Sequence, residues 1–150
     1  MKIFQRSIHS TIREDDERKW IVNSDFLDLE HSIHLELTID TKSGEVISAS
    51  AQMSKSPFTR CMKALEGVRK LEGMKIERGI LSLVHKEFSG HKSCTHLMEL
   101  IIDSIRLVGM MRVGGRAGYP GVYRSGETED EKIARITPKL KNTCLVFTER

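Results

Sequence analysis

The clearest pattern in the chain is the strict alternation of apolar and polar residues between positions 33 and 40. Apolar side chains occupy every second position there, namely Ile33, Leu35, Leu37 and Ile39. Successive side chains of a strand point to opposite faces, so this run predicts a strand with one buried face. A second alternating run, from Ile47 to Met53, follows a loop that ends at Gly44, which predicts an antiparallel hairpin. Residues 1–29 alternate more loosely and predict two further strands joined by a turn.

Beyond position 55 the apolar period lengthens from two to about three and a half, which predicts helices. The first helix is predicted to begin at Ser56-Pro57, a capping serine before a first-turn proline, and to end near Gly73. Its predicted apolar face consists of Phe58, Cys61, Met62, Leu65 and Val68. Two more helices are predicted over 76–88 and 94–108. Strands followed by helices predict an α+β fold, in which an antiparallel β-meander carries helices packed on one face.

The last forty residues differ in character from the rest. Residues 112–126 interleave glycine with arginine, 127–131 are mostly acidic, and Cys144–Phe147 is a short apolar run. We expect 112–131 to be an exposed, mobile loop, since such residues bury little apolar area, and Cys144–Phe147 to form a strand. The glycines match no phosphate-binding motif. The sequence thus predicts an α+β core, 1–111, and a tail, 112–150, of the same domain.

Composition narrows the functional classes. The chain has 150 residues, 39% of them hydrophobic and 30% charged, which is typical of a globular domain. Its net charge of +3 is dispersed, so there is no strong nucleic-acid signal. Charged and polar residues interrupt both the first residues and the most apolar segment, which argues against a signal peptide and a membrane span. The three cysteines form no disulfide framework, so we expect a cytoplasmic protein with reduced thiols.

The candidate chemistry lies in cysteine and histidine residues. Cys94 stands between His91 and His96 at the start of the third predicted helix, where the helix dipole favours a thiolate. Cys61 lies in the first turns of its own predicted helix, and His31 precedes the strongest strand. These elements can present their ends at one edge of the sheet, so we expect His31, Cys61 and Cys94 to lie close together. Either cysteine could equally be a buried core residue.

Three segments carry a resemblance to a known family. His31 to Asp40, Ser56 to Cys61 and Gly90 to Leu97 together resemble an uncharacterised bacterial family known only as a domain of unknown function. Leu140 to Cys144 resembles the C-terminal end of the same family. The resemblance covers most of the chain and implies no activity.

A more distant resemblance is to the iron–sulfur scaffold proteins of the NifU and IscU type, with an IscU/SufE-like fold. Those proteins surround a metal or nascent cluster with three cysteines and an aspartate. The resemblance places Cys94 at the last cysteine, Cys61 near the second, and His31 where the aspartate is expected. Leu29 stands in place of the first cysteine. This departure argues against cluster assembly and leaves a metal or sulfur site.

The leading hypothesis is therefore a metal-binding or sulfur-related accessory protein. Cys61 and Cys94 would be thiolate ligands, and His31 and His96 would complete a tetrahedral set for zinc or another transition metal. One alternative is an enzyme in which Cys94 is a nucleophile activated by His96 or His31. Another is a binding or structural module with no reactive site. The sequence leaves open whether the protein is an enzyme, whether it has a protein partner and what its oligomeric state is.

Overall fold

The first half of the fold is a four-stranded antiparallel sheet in which each strand pairs with the next one along the chain. The structure is a computed structural model that describes residues 1, 3–116, 126–142 and 144–148. The strands are β1 Ser7–Glu14, β2 Lys19–Leu27, β3 Ser32–Asp40 and β4 Val46–Lys55. Helices follow the sheet, so the predicted α+β fold is confirmed.

One face of the sheet forms the core. The apolar residues of β3, namely Ile33, Leu35, Leu37 and Ile39, are each at most 1% exposed, as the alternation predicts. Between β3 and β4, the Asp40 carboxylate accepts hydrogen bonds from the backbone N–H groups of Lys42 and Ser43. Gly44 then takes a φ of +78°, which glycine adopts without strain. The alternation fails at the start of β4, where a register shift between Thr38 and Ile39 pairs Ile39 with Val46. Val46 is therefore buried, and Ile47, predicted to face the core, is 45% exposed.

The segment after β4 differs from the prediction. Instead of an α-helix from Pro57, the chain forms a 3₁₀ helix over Thr59–Leu71. A 3₁₀ helix has three residues per turn, so its inward face repeats every third residue. Val68 and Leu71 are buried on that face, whereas Phe58 and Met62, predicted to face the core, are 69% and 42% exposed. The predicted end is confirmed, because Gly73 has a φ of +82°.

Two α-helices follow, α1, Ile80–Phe88, and α2, Thr95–Arg116, with a short 3₁₀ turn, Gly90–Lys92, between them. The apolar positions of α2 that join the core are Leu97, Leu100, Ile101, Ile105 and Val108. Hydrogen bonds also join α2 to the sheet. The hydroxyls of Ser24 and Ser104 are 2.7 Å apart, and the Ser10 hydroxyl donates to Asp103 at 2.6 Å. These contacts fix the middle of α2 against β1 and β2.

The chain divides into two compact units, Met1–Val108 and Gly109–Arg150. In the second unit, residues 112–116 continue α2 where a loop was predicted, and 117–125 lie outside the described residues. The acidic run opens helix α3, Glu129–Leu140, since negative charge stabilises a helix N-terminus. Thr128 and Glu131 form a capping box there. The proposed division at 111/112 and the mobility of the loop stay predictions.

The prediction of a strand at Cys144–Phe147 is wrong. Leu145–Phe147 forms a short 3₁₀ helix, with Cys144 as its N-cap. The backbone N–H of Phe147 donates to the carbonyl of Cys144, three residues earlier. A short apolar run forms a strand only where it can pair with a neighbouring strand. The backbone hydrogen bonds of this run are instead made within the run itself. Among the described residues, no helix has both the length and the apolar character needed to cross a membrane.

Candidate metal centre

The tight turn between β2 and β3 builds the first part of the candidate site. The backbone N–H of Asp28 donates to the carbonyl of His31 at 3.0 Å. The Asp28 carboxylate oxygen Oδ1 accepts hydrogen bonds from the backbone N–H groups of Glu30, at 2.8 Å, and His31, at 2.7 Å. An aspartate that accepts from residues two and three positions later stabilises a turn without a glycine. This turn fixes where the His31 side chain begins.

The same carboxylate also orients the His31 ring. Asp28 Oδ1 lies 3.0 Å from His31 Nδ1, and the two side chains are only 4% and 10% exposed. His31 is one of the few buried polar residues among those described. All three hydrogen bonds to the carboxylate fall on Oδ1. The Nδ1 edge of the ring therefore faces the carboxylate.

Helix α2 brings a second histidine to this turn. His96 is the second residue of α2, and its ring centroid lies 4.0 Å from that of His31. The Phe26 ring supports both, with centroid distances of 5.0 Å to His96 and 6.2 Å to His31. Phe26 pairs with Ile33 across β2 and β3, so it lies on the core face of the sheet. The packing of α2 on that face therefore determines the position of His96.

Asp28, His31 and His96 form a group whose ligand atoms are close enough to be candidates for sharing a metal ion. Each offers one ligand atom, and these atoms all lie within 4.8 Å of one another. Ligand atoms that share an ion at about 2.0–2.2 Å lie roughly 3–4 Å apart, so an ion would draw these side chains closer together. Two histidines and one carboxylate are a donor set that binds zinc or ferrous iron and leaves coordination positions open.

The structure places the four sequence-predicted ligands as follows. His31 and His96 lie together in the group. Cys94 lies beside it, with its Sγ 3.7 Å from His96 Nδ1, and is half-buried. Cys61 is also half-buried and packs against the core from the 3₁₀ helix. Neither cysteine belongs to the ligand group found among the described residues, and the four-residue set and its convergence stay predictions.

Asp28 is the residue that the sequence analysis missed. Its signal in the sequence is the spacing Asp28-Leu29-Glu30-His31 between two alternating runs. Aspartate at the first position of a turn commonly accepts backbone hydrogen bonds. The same spacing places its carboxylate beside the histidine that follows, so a search for turn aspartates would have found it.

The pKa shifts of Asp28 and His96 favour the protonation states that bind a cation. Burial acts to raise the pKa of Asp28, but hydrogen bonds from Glu30 and His31 outweigh it and hold that pKa below its ordinary value of 3.8. Burial lowers the pKa of His96 below 6.5, with a further contribution from the charge of His31, although Asp28 and Glu99 oppose the shift. An ionised carboxylate and a neutral imidazole are the forms that bind metal ions.

The lowered pKa of His96 predicts a pH dependence of stability. The unfolded chain takes up a proton at His96 near pH 6.5, whereas the folded protein does so only at lower pH. As the pH falls between these two pKa values, the free energy of unfolding should therefore decrease. Urea unfolding of metal-free protein at a series of pH values measures this slope, and His96→Gln should reduce it. A slope unchanged by His96→Gln would contradict the prediction.

The fold and the site define an α+β protein with a candidate two-histidine, one-carboxylate centre between a sheet turn and a helix start. The chain belongs to the family described as protein of unknown function DUF2889, whose model matches residues 4–107. The match includes all three residues of the centre. No curated protein matches the chain, and no solved structure matches it either. The likeness to iron–sulfur scaffold proteins stays a prediction.

Proposed function

We propose that this protein binds one divalent transition-metal ion, with zinc as the first candidate, through Asp28, His31 and His96. The observation that carries the proposal is the clustering of their ligand atoms within 4.8 Å at the junction of the β2–β3 turn and α2. Two of the three residues, His31 and His96, also belong to the ligand set expected from the sequence.

The hydrogen bonds favour particular ligand atoms. Asp28 Oδ1 already accepts three hydrogen bonds, so Oδ2 is the oxygen available to an ion. An ion shared by Asp28 and His31 would bind His31 at Nδ1, in place of the hydrogen bond between them, because a carboxylate bonded to Nδ1 cannot also reach an ion on Nε2 of the same ring. His96 Nδ1 faces the Cys94 sulfur, so His96 would bind the ion through Nε2. Histidine ligands commonly donate their other ring N–H to such an outer partner, which fixes the ring and strengthens the metal bond.

A centre with three protein ligands has room for water or a substrate on the ion. Structural zinc sites are usually closed by four protein ligands, whereas sites that bind water or substrate keep a position open. A donor set of Asp28, His31 and His96 leaves such a position. The ion would polarise a bound oxygen there and stabilise negative charge on it.

A metal titration tests the proposal. Protein prepared without a histidine tag and stripped with chelator should take up about one equivalent of Zn²⁺ or Co²⁺ in calorimetry. The Co²⁺ spectrum then identifies the ligands, because thiolate ligands give a sulfur-to-cobalt charge-transfer band in the near ultraviolet. We expect d–d bands without it. A strong charge-transfer band would favour the set containing Cys61 and Cys94, and no uptake of either ion would refute a metal centre.

A second candidate function is favoured by the contact between Cys94 and His96. The 3.7 Å separation of Sγ and Nδ1 allows the imidazole to accept the thiol proton. The lowered pKa of His96 keeps that imidazole neutral near neutral pH, as a general base requires. We therefore keep a cysteine-dependent activity, with Cys94 as nucleophile and His96 as base, as the alternative.

Alkylation separates the two candidates. In metal-free protein at neutral pH, an activated Cys94 should react with iodoacetamide about tenfold faster than the exposed Cys144, and His96→Gln should remove the difference. Peptide mass spectrometry measures both sites in one sample, so Cys144 is an internal reference. Labelling of Cys94 only after denaturant would show a core thiol and reject the alternative. Protection by Zn²⁺ that chelator reverses would show that an ion binds beside Cys94, and the Co²⁺ spectrum then decides whether the thiolate is one of its ligands.

A further inference from the structure

A cleft of about 390 Å³ lies beside the candidate metal centre. The two share Asp28, which lines the cleft and belongs to the ligand group. The apolar part of the lining comes from Ile3 and Phe4, before β1, and from Leu27 and Leu29, at and just after the end of β2. Its volume falls in the lower part of the range of about 300–1,000 Å³ typical of small-molecule sites.

The lining of the cleft is apolar and exposed. Its four apolar side chains are each at least 54% exposed, namely Ile3, Phe4, Leu27 and Leu29, whereas the core side chains are buried. Covering such side chains releases free energy in proportion to the apolar area removed from water. Clustered exposed apolar residues commonly mark a binding site, whereas isolated ones need no explanation. The cleft thus favours a ligand with an apolar body.

The charges beside the cleft favour an anionic head group on that ligand. A divalent ion with Asp28 as its only anionic protein ligand would carry a net charge of +1. Arg6 adds a cation nearby, with its guanidinium 5.8 Å from the centroid of Phe26, which supports both histidines. Glu99 pairs with Arg6 at 2.9 Å, so this second charge is balanced and the ion remains the net positive centre.

From this juxtaposition we propose that the cleft and the ion together bind a monocarboxylic acid with an unbranched apolar tail of medium length. The carboxylate takes the open position on the ion, and the tail covers Leu27, Leu29 and Phe4. The inference rests on the proposed metal centre. It adds the chemical class of the bound molecule, which the three metal-binding residues alone do not define.

Calorimetry with three probes tests the inference. Octanoate has the head and the tail, acetate has the head alone, and 1-octanol has the tail alone. Octanoate should bind zinc-loaded protein at least about tenfold more tightly than acetate or 1-octanol does, because only octanoate uses both halves of the site. It should also bind chelator-treated protein at least about tenfold more weakly. Equal octanoate affinity with and without zinc would overturn the inference while leaving the metal centre intact.

Matched variants locate the tail. Leu29→Ser removes an apolar side chain from the cleft, and Ile47→Ser removes one that is 45% exposed on β4, outside the cleft lining. Leu29→Ser should weaken octanoate binding about fivefold, since part of the apolar contact is lost. Ile47→Ser should leave it unchanged, and zinc affinity should be the same in both variants. Equal octanoate affinities in the two variants would overturn the inference, and failure of zinc uptake in the unmodified protein would refute the metal centre itself.

Discussion

Replacing His96 with alanine is expected to lower the affinity for Zn²⁺ by more than about a hundredfold. Loss of an outer hydrogen-bond partner of a metal ligand already costs about 10–100-fold, and His96→Ala removes a ligand itself. His31→Ala should have an effect of similar size, because it removes the other imidazole and leaves the Asp28 carboxylate without its ring partner. Calorimetric titration of the metal-free variants measures both affinities.

His34 provides the matched control for these variants. His34 Nδ1 lies 2.8 Å from Asp25 Oδ1, so it forms the same kind of histidine–aspartate pair as His31 and Asp28. The side chains of His34 and Asp25 are 41% and 56% exposed. His34 lies on the face of β3 opposite to its buried residues. His34→Ala should therefore keep the unmodified affinity for Zn²⁺. Equal losses in His34→Ala and His96→Ala would show surface binding and refute the centre.

The sequence predicted the sheet well because its alternation is local and repetitive. The run from Ile33 to Ile39 places an apolar side chain at every second position, and only one register buries them all. Strands β1 and β2 were also predicted, although their pattern is weaker. The 3₁₀ helix of Thr59–Leu71 could not be distinguished from an α-helix, since both periods fit its short apolar pattern.

The candidate site was only partly predictable for a different reason. His31 and His96 stood out because one precedes the strongest predicted strand and the other stands beside Cys94 at a predicted helix start. Asp28 did not, since one turn aspartate looks like any other until the fold brings α2 across it. The expected importance of Cys94 depended on the helix start, whereas its contact with His96 depends on how α2 packs on the sheet. Distances between separate elements are set by packing, which periodicity does not encode.

Truncation of Leu100 should cause the largest loss of stability among the changes considered. Leu100 is fully buried in α2 and belongs to the core cluster that α2 forms with the sheet. Leu100→Ala should lower the free energy of unfolding by about 2–5 kcal/mol, because it loses the transfer energy of the side chain and leaves a cavity. Urea unfolding of metal-free protein measures this loss as a lower transition midpoint with an unchanged m-value.

The control for Leu100→Ala is Leu83→Ala, which makes the same chemical change on α1. Leu83 is 41% exposed, so its truncation removes less buried area and leaves no closed cavity. It should cost less than about 1 kcal/mol. The contrast bears on the metal centre, since the core contacts of α2 hold the helix that carries His96 to the sheet. Equal losses in the two variants would mean that α2 is not packed on the sheet as described, and the position of His96 beside His31 would then lose its structural basis.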